Sequence, residues 1–236
     1  MRRLSGHPRI DGWTDGAVVA SDECGYGPWA GPLVVCAASA PIGWDDPRVR
    51  DSKDFDRESQ REVLYDEFFH DPRFIFALSI TEASRIDEIG IRVALIRGHA
   101  KVLGEVAARL QGHTLGVVDG TLPVHEFGLG FDLVALPKAD QLVPECSLAS
   151  IIGKVTRDRI MTTLDQKYPG YGFSRNKGYG GSAVHYEGLD KLGPCPEHRR
   201  SYAPIARRIA EREKSQQIHN AWEISGDELE DQATRR

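Results

Sequence analysis

Residues 18–32 constrain this chain more than any other stretch. An apolar run delivers two adjacent carboxylates, and a turn dense in glycine and proline follows: Val18-Val19-Ala20-Ser21-Asp22-Glu23-Cys24-Gly25-Tyr26-Gly27-Pro28-Trp29-Ala30-Gly31-Pro32. A second apolar run, residues 33–38, leads away. This punctuation reads as strand, loop, strand. Successive strand side chains face opposite ways. Asp22 and Glu23 fall where strand becomes loop, so both can still turn toward one site. Two carboxylates at a strand end suit a hard, oxygen-ligated cation such as Mg2+. The glycines let backbone approach a ligand closely, because no Cβ intervenes. On its own, the stretch is also compatible with an acidic hairpin turn.

What lies downstream decides between these. Patterning predicts strands at 17–21, 33–38, 74–80, 115–118 and 131–136. It predicts helices at 57–69, 86–110, 144–167, 183–192 and 203–213, with Ser52 or Asp54 as cap of the first and Pro144 in the first turn of the third. Ile91, Leu95, Val102, Leu103, Val106 and Leu110 recur near helical spacing and read as core. Asp87 and Glu88 read as charges favourable to the start of that helix. Strands alternating with helices make an α/β fold. Two further strand ends carry acids, Asp119 before Gly120 and Asp140 after Lys138-Ala139. Each alone is weak, since Asp-Gly is a common turn. With Asp22 and Glu23 they make four carboxylates that strands of one sheet would gather.

The charge balance bears on what such a site acts upon. A net charge of −5 does not advertise a nucleic-acid binder. Five acids, Glu223, Asp227, Glu228, Glu230 and Asp231, have no basic residue between them and match that whole charge. The remaining body is neutral, with basic clusters at 154–159, 175–177, 199–200 and 207–208. A basic face with an acidic, disordered tail follows. From Tyr168 onward the chain turns aromatic, glycine-rich and basic, as in Lys177-Gly178-Tyr179-Gly180-Gly181. No window approaches 18 uncharged apolar residues, and the basic N-terminus lacks an apolar signal region. Cys24, Cys36, Cys146 and Cys195 are scattered with no CxxC spacing. Free thiols in a reducing cytoplasm are the expected state.

These residues together resemble ribonuclease HII. The family's first motif, roughly Asp-Glu-x-Gly-Arg-Gly-Pro-x-x-Gly-Pro, is matched by residues 22–32. Asp51-Ser52-Lys53, Val118-Asp119-Gly120 and Lys138-Ala139-Asp140 are similar to its next segments. Residues 149–158 resemble its long-helix signature, Lys177-Gly178-Tyr179-Gly180 its tyrosine segment, and residues 193–202 its C-terminal block. The resemblance implies an RNase H-like mixed β-sheet flanked by helices, with a small helical C-terminal extension. It divides the chain into a flexible arm (1–16), a catalytic core (17–167), a substrate-binding region (168–215) and an acidic tail (216–236).

The resemblance also implies a metal-dependent endonuclease. Its substrates would be the RNA strand of RNA–DNA hybrids and ribonucleotides embedded in duplex DNA, cut on their 5′ side to leave 3′-hydroxyl and 5′-phosphate ends. Asp22, Glu23, Asp119 and Asp140 would be catalytic and hold Mn2+ or Mg2+. Gly25, Tyr26, Gly27, Lys53 and Tyr179 would bind substrate, the loop amides and the tyrosine sensing the 2′-hydroxyl. Lys154 and Arg157 are candidate phosphate contacts, with helix-surface pairing as the plainer reading of Arg157 and Asp158. His198 reads as structural. A monomer is expected. Ribonuclease HIII, which carries an additional N-terminal domain, is disfavoured by the short stretch before the first strand.

Three positions depart from the family's pattern. Tyr26 stands in place of Arg, Gly153 in place of Ala, and His185 lies one position later after Tyr179. Tyr26 leaves open a catalytically weakened hybrid-binding module. Another RNase H-fold nuclease, acting on DNA, is the remaining alternative.

Overall fold

The computed structural model describes residues 8–14, 16–52 and 55–217. Strands β1 (Gly16–Cys24), β2 (Leu33–Ser39) and β3 (Ile75–Thr81) form an antiparallel meander. Two strands then join in parallel, β4 (His113–Asp119) beside β1 and β5 (Asp132–Leu136) beside β4, giving the order β3-β2-β1-β4-β5. β2 is buried along its whole length because helices cover both faces, which explains its uninterrupted apolar sequence. Cys36 and Ala38 face α2 (Glu58–Phe69) and α6 (Pro144–Lys167). Val35 and Ala37 face α4 (Ile91–Ala107), through Leu95, Val102 and Val106. The mixed sheet with flanking helices is the architecture expected.

Helix α6 runs over the predicted span and is buried on most of its surface. It starts with Pro144 in its first turn, where the missing N–H costs nothing. Gly153 lies where α6 meets β2, and a Cβ there would sit 3.3 Å from Cys36 Cβ. Cys36 is the cross-strand partner of Asp22, so this close approach lies directly behind an acid.

The single helix expected over 86–110 is two, α3 (Ala83–Ile89) and α4, broken at Gly90. Gly90 has φ 82° and ψ 146°, a backbone state that L side chains rarely adopt. Apolar spacing continues across the break, so periodicity alone hides it. β1 runs three residues further than predicted, carrying Asp22 and Glu23 within the ladder opposite Cys36 and Val35. At the start of the chain, α1 (Pro8–Asp11) forms one turn and buries Ile10 against Val18, Leu115 and Val134. Ser52 does not cap α2; Arg57 occupies the N-cap, its N–H donating to the Gln60 side chain at 3.3 Å. Asp54, Lys53 and residues 218–236 lie outside the described residues.

After α5 (Ala139–Leu142) and α6, a short α7 (Phe173–Asn176), α8 (Ala183–Leu192) and α9 (residues 203–217) complete the described chain. Phe173, Leu189, Cys195 and Ile205 close a separate small core over Met161 and Leu164 of α6. Ala30, from the loop after β1, is part of that core and forms an antiparallel bridge to His198. The helical extension therefore reaches back to the loop that follows the acids of β1. Among the described residues no helix is long and apolar enough to cross a membrane.

Candidate active site

The parallel ladder brings the acids together. Ser21 of β1 pairs with Val118 of β4, so Asp22 and Asp119 follow at the same edge of the sheet. Asp119 in turn pairs with Leu136 at the end of β5. The turn that follows places Lys138 in the left-handed region, φ 61°, and starts α5. The Ala139 N–H then donates to Asp119 Oδ1 at 2.7 Å, which seats Asp140 beside Asp119. Ser147 of α6 fixes Asp140 from below, its hydroxyl donating to the Asp140 carbonyl at 2.6 Å.

Asp22 is only 8% exposed and Asp140 is buried, whereas Glu23 is 28% exposed. Burial pushes the Asp22 carboxyl well above the usual range, and the charges of Glu23, Asp119 and Asp140 push it the same way. A hydrogen bond with Ser150 opposes them. Cys146 lies beneath. Its thiol is raised first by burial and then by the charges of Asp22, Asp119, Asp140 and Glu23. Four carboxylates thus share one electrostatic neighbourhood. Like charges so placed repel, and among the described residues no three metal-ligating side chains meet at coordination distance. The donor set is wholly oxygen, which fits hard divalent cations.

The loop beside the acids is held from within. Arg199, fully buried, donates to the carbonyls of Gly25 (2.6 Å), Tyr26 (2.9 Å) and Gly31 (2.9 Å). Arg157, also fully buried, donates to the carbonyls of Pro32 (3.0 Å) and Ala30 (3.2 Å). The Tyr202 hydroxyl adds a bond to the Tyr26 carbonyl at 2.7 Å. The outer side of this loop lines a cleft of about 380 Å³ with Asp22, Glu23, Ser52, Ser150, Lys154 and Tyr179. Tyr26 is 44% exposed and Tyr179 51%, so two aromatic side chains stand open beside the acids. Tyr179 reaches the loop itself: its ring edge lies 3.9 Å from where a Cβ on Gly27 would be.

A family model described as ribonuclease HII matches residues 19–205. A curated ribonuclease HII from Thermus thermophilus is 38% identical over 195 residues, covering 82% of this chain and 90% of that one. The chain belongs to the ribonuclease HII family. It is accordingly a type II ribonuclease H, an endoribonuclease of a family that acts on RNA–DNA hybrids. The ribonuclease HII of Nocardia farcinica is 36% identical over 218 residues, covering 92% of this chain and 83% of that one. The crystal structure of ribonuclease H2 from Pyrococcus horikoshii superposes with a TM-score of 0.70 at 26% identity, covering 83% of this chain and 98% of that one.

Within this ribonuclease HII framework the fold brings together Asp22, Glu23, Asp119, Asp140, Gly25, Tyr26, Gly27 and Tyr179. Lys53 lies outside the described residues. Lys154 lines the cleft and pairs with Asp158. Arg157 is neither a phosphate contact nor half of a surface pair, because it is buried under the loop. Asp87 does not serve a helix start; its carboxylate accepts the N–H groups of Arg200 and Ser201 at 2.8 and 2.9 Å. His198 is structural as expected, buried and bonded to His185.

Sequence reasoning missed Ser150, which touches Asp22, and His99, which lies behind Glu23. The long-helix signature contained Ser150 without giving it a task. His99 carried no signal at all, since its position falls within the core stripe of α4.

Proposed function

We propose that the chain cleaves the RNA strand of RNA–DNA hybrids and cuts on the 5′ side of ribonucleotides embedded in duplex DNA, leaving 3′-hydroxyl and 5′-phosphate ends. The observation that carries this reading is a single cleft lined by Asp22, Glu23, the Gly25–Gly27 loop and Tyr179, with the charges of Asp119 and Asp140 acting on Asp22 behind it. Asp22, Glu23, Asp119 and Asp140 would hold divalent cations, Mn2+ or Mg2+. When bound, such cations supply positive charge to an anionic phosphodiester and lower the pKa of a bound water. The acids themselves offset the charge of the cations and fix their place.

Discrimination rests on the loop and the tyrosine. The 2′-hydroxyl is the group that tells ribose from deoxyribose, and it both donates and accepts. A loop whose carbonyls are committed inward to Arg199 offers its amides to that hydroxyl. Tyr179 offers a ring to stack on the next sugar and a phenol to donate. Lys154, at the cleft wall, places a positive charge near the backbone.

The test is incubation with Mn2+ or Mg2+ and a duplex holding one ribonucleotide, beside an all-DNA control. Cleavage only 5′ of the ribonucleotide, abolished in Asp119→Asn, is the expected result. Cleavage of the control would transfer the assignment to a DNA nuclease, and binding without cleavage to a hybrid-binding module.

A further inference from the structure

Helix α4 packs on the sheet face opposite α6, and His99 lies fully buried along it. Its surroundings are apolar: Phe127 lies parallel to the ring at 6.3 Å and 18°. Two polar groups meet the imidazole. Ser21 Oγ lies 2.8 Å from Nδ1, and Glu23 Oε2 lies 3.6 Å from Nε2. Nε2 is buried and has no hydrogen-bond partner.

A buried, unsatisfied nitrogen costs stability. The bond with the buried Ser21 hydroxyl accounts for Nδ1, and the fold alone gives no reason for Nε2. What the histidine does provide is direction. Ser21 precedes Asp22 on β1, and its hydroxyl can donate to Nδ1. With Nδ1 accepting from Ser21, the ring N–H is on Nε2, 3.6 Å from the Glu23 carboxylate. A small side-chain rotation of the partly exposed Glu23 closes the remaining gap.

We propose that His99 is a positioning residue for Glu23: its ring, set by Ser21 and Phe127, donates from Nε2 to the Glu23 carboxylate and fixes the orientation in which Glu23 holds a divalent cation. The inference rests on the metal reading above. Outer partners of this kind orient ligands to which they are bonded, and their loss typically weakens metal binding about 10- to 100-fold.

The test is calorimetric titration of Mn2+ into the full chain, with a thermal melt of the metal-free protein alongside. In His99→Leu, Mn2+ binding is expected to weaken about tenfold or more, with the metal-free protein still melting in one cooperative transition. His99→Gln, whose amide N–H reaches near the place of Nε2, is expected to restore most of the affinity. Equal Mn2+ affinity in His99→Leu overturns the proposal. So does loss of the cooperative metal-free transition in His99→Leu, since weakened binding would then report a general loss of structure. A His99→Gln variant as weak as His99→Leu overturns it too. If the unaltered chain binds no Mn2+, the metal reading fails first, and this proposal fails with it.

Discussion

Tyr26 stands at the cleft rim where the family motif has arginine, with its ring 44% exposed. Arginine there would bring a fixed charge and a fork that matches a phosphate. Tyrosine brings one hydroxyl and a ring face. The backbone at this position is unaffected by the exchange, because Arg199 and Tyr202 hold the Tyr26 carbonyl, not its side chain. Tyr26→Arg should therefore leave the loop in place and tighten hybrid binding. One added phosphate contact steepens the dependence of log K on log salt by about 0.9. Binding titrations over a range of salt, made in an Asp119→Asn background to prevent cutting, measure both. An unchanged slope would mean that position 26 does not face phosphate. At this scale the sequence was most informative for Asp119, which ends β4 as the pattern predicts, whereas Asp22 and Glu23 lie within the β1 ladder and Asp140 lies in α5. Arg157 misled because nothing in a helical pattern separates a surface arginine from one buried under another segment. His99 was silent because its spacing is that of its apolar neighbours.

Helix α8 and the turn after it form a second unit, built on two buried histidines. The Cys195 N–H donates to His198 Nδ1 at 3.0 Å, which leaves the His198 proton on Nε2. That nitrogen lies 3.0 Å from His185 Nε2, so His185 accepts there and keeps its own proton on Nδ1. His185 Nδ1 then donates to the Tyr179 carbonyl at 2.9 Å. The chain of bonds holds only while both rings are neutral. Burial lowers both pKa values, that of His198 to about 3, with its neighbour His185 adding to the effect. In the unfolded chain both titrate near about 6.5. Between about 3 and 6.5 the unfolded state therefore binds more protons, and stability falls as pH falls. Each histidine contributes a slope of at most about 1.4 kcal/mol per pH unit. Denaturant midpoints at pH 7 and pH 5 should show this loss, and His198→Asn should shrink it. An equal loss in both proteins would place the effect elsewhere. The bounds of α8 were readable because Gly193 ends it and Ser182 precedes it, although the Ser182 hydroxyl makes no cap bond. The break at Gly90 was not, because a glycine inside a continuing period is ambiguous.

The molecule as a whole joins a sheet that gathers acids to a helical extension that holds the loop beside them. The sequence supplied both parts but not their joint, since the cleft draws on residues near 22, 52, 150 and 179 that touch only in the fold. The joint is Arg199. It sits in the C-terminal block, is fully buried, and spends its donors on the carbonyls of Gly25, Tyr26 and Gly31 and on the Tyr202 hydroxyl. Asp87 of α3 anchors the next two residues, Arg200 and Ser201. Burial lowers the pKa of the Arg199 guanidinium, yet several carbonyl oxygens accept from it. In Arg199→Gln the shorter neutral side chain cannot span these acceptors, and the loop loses its fixed position over the acids. A displacement near 1 Å costs catalysis about 100-fold, so kcat/KM on a single-ribonucleotide duplex should fall by that order. Tyr202→Phe removes the hydroxyl bond to the Tyr26 carbonyl and the one accepted from Arg199, each worth about 1 kcal/mol, and should cut less well by roughly five- to thirtyfold without unfolding. Both variants should narrow the preference for ribose over deoxyribose, because they disturb the loop and leave Asp22, Glu23, Asp119 and Asp140 in place. Steady-state kinetics on paired substrates, with melting curves as control, separate this from a general loss of fold. Undiminished ribose preference in a folded Arg199→Gln protein would show that the loop keeps its shape without the extension.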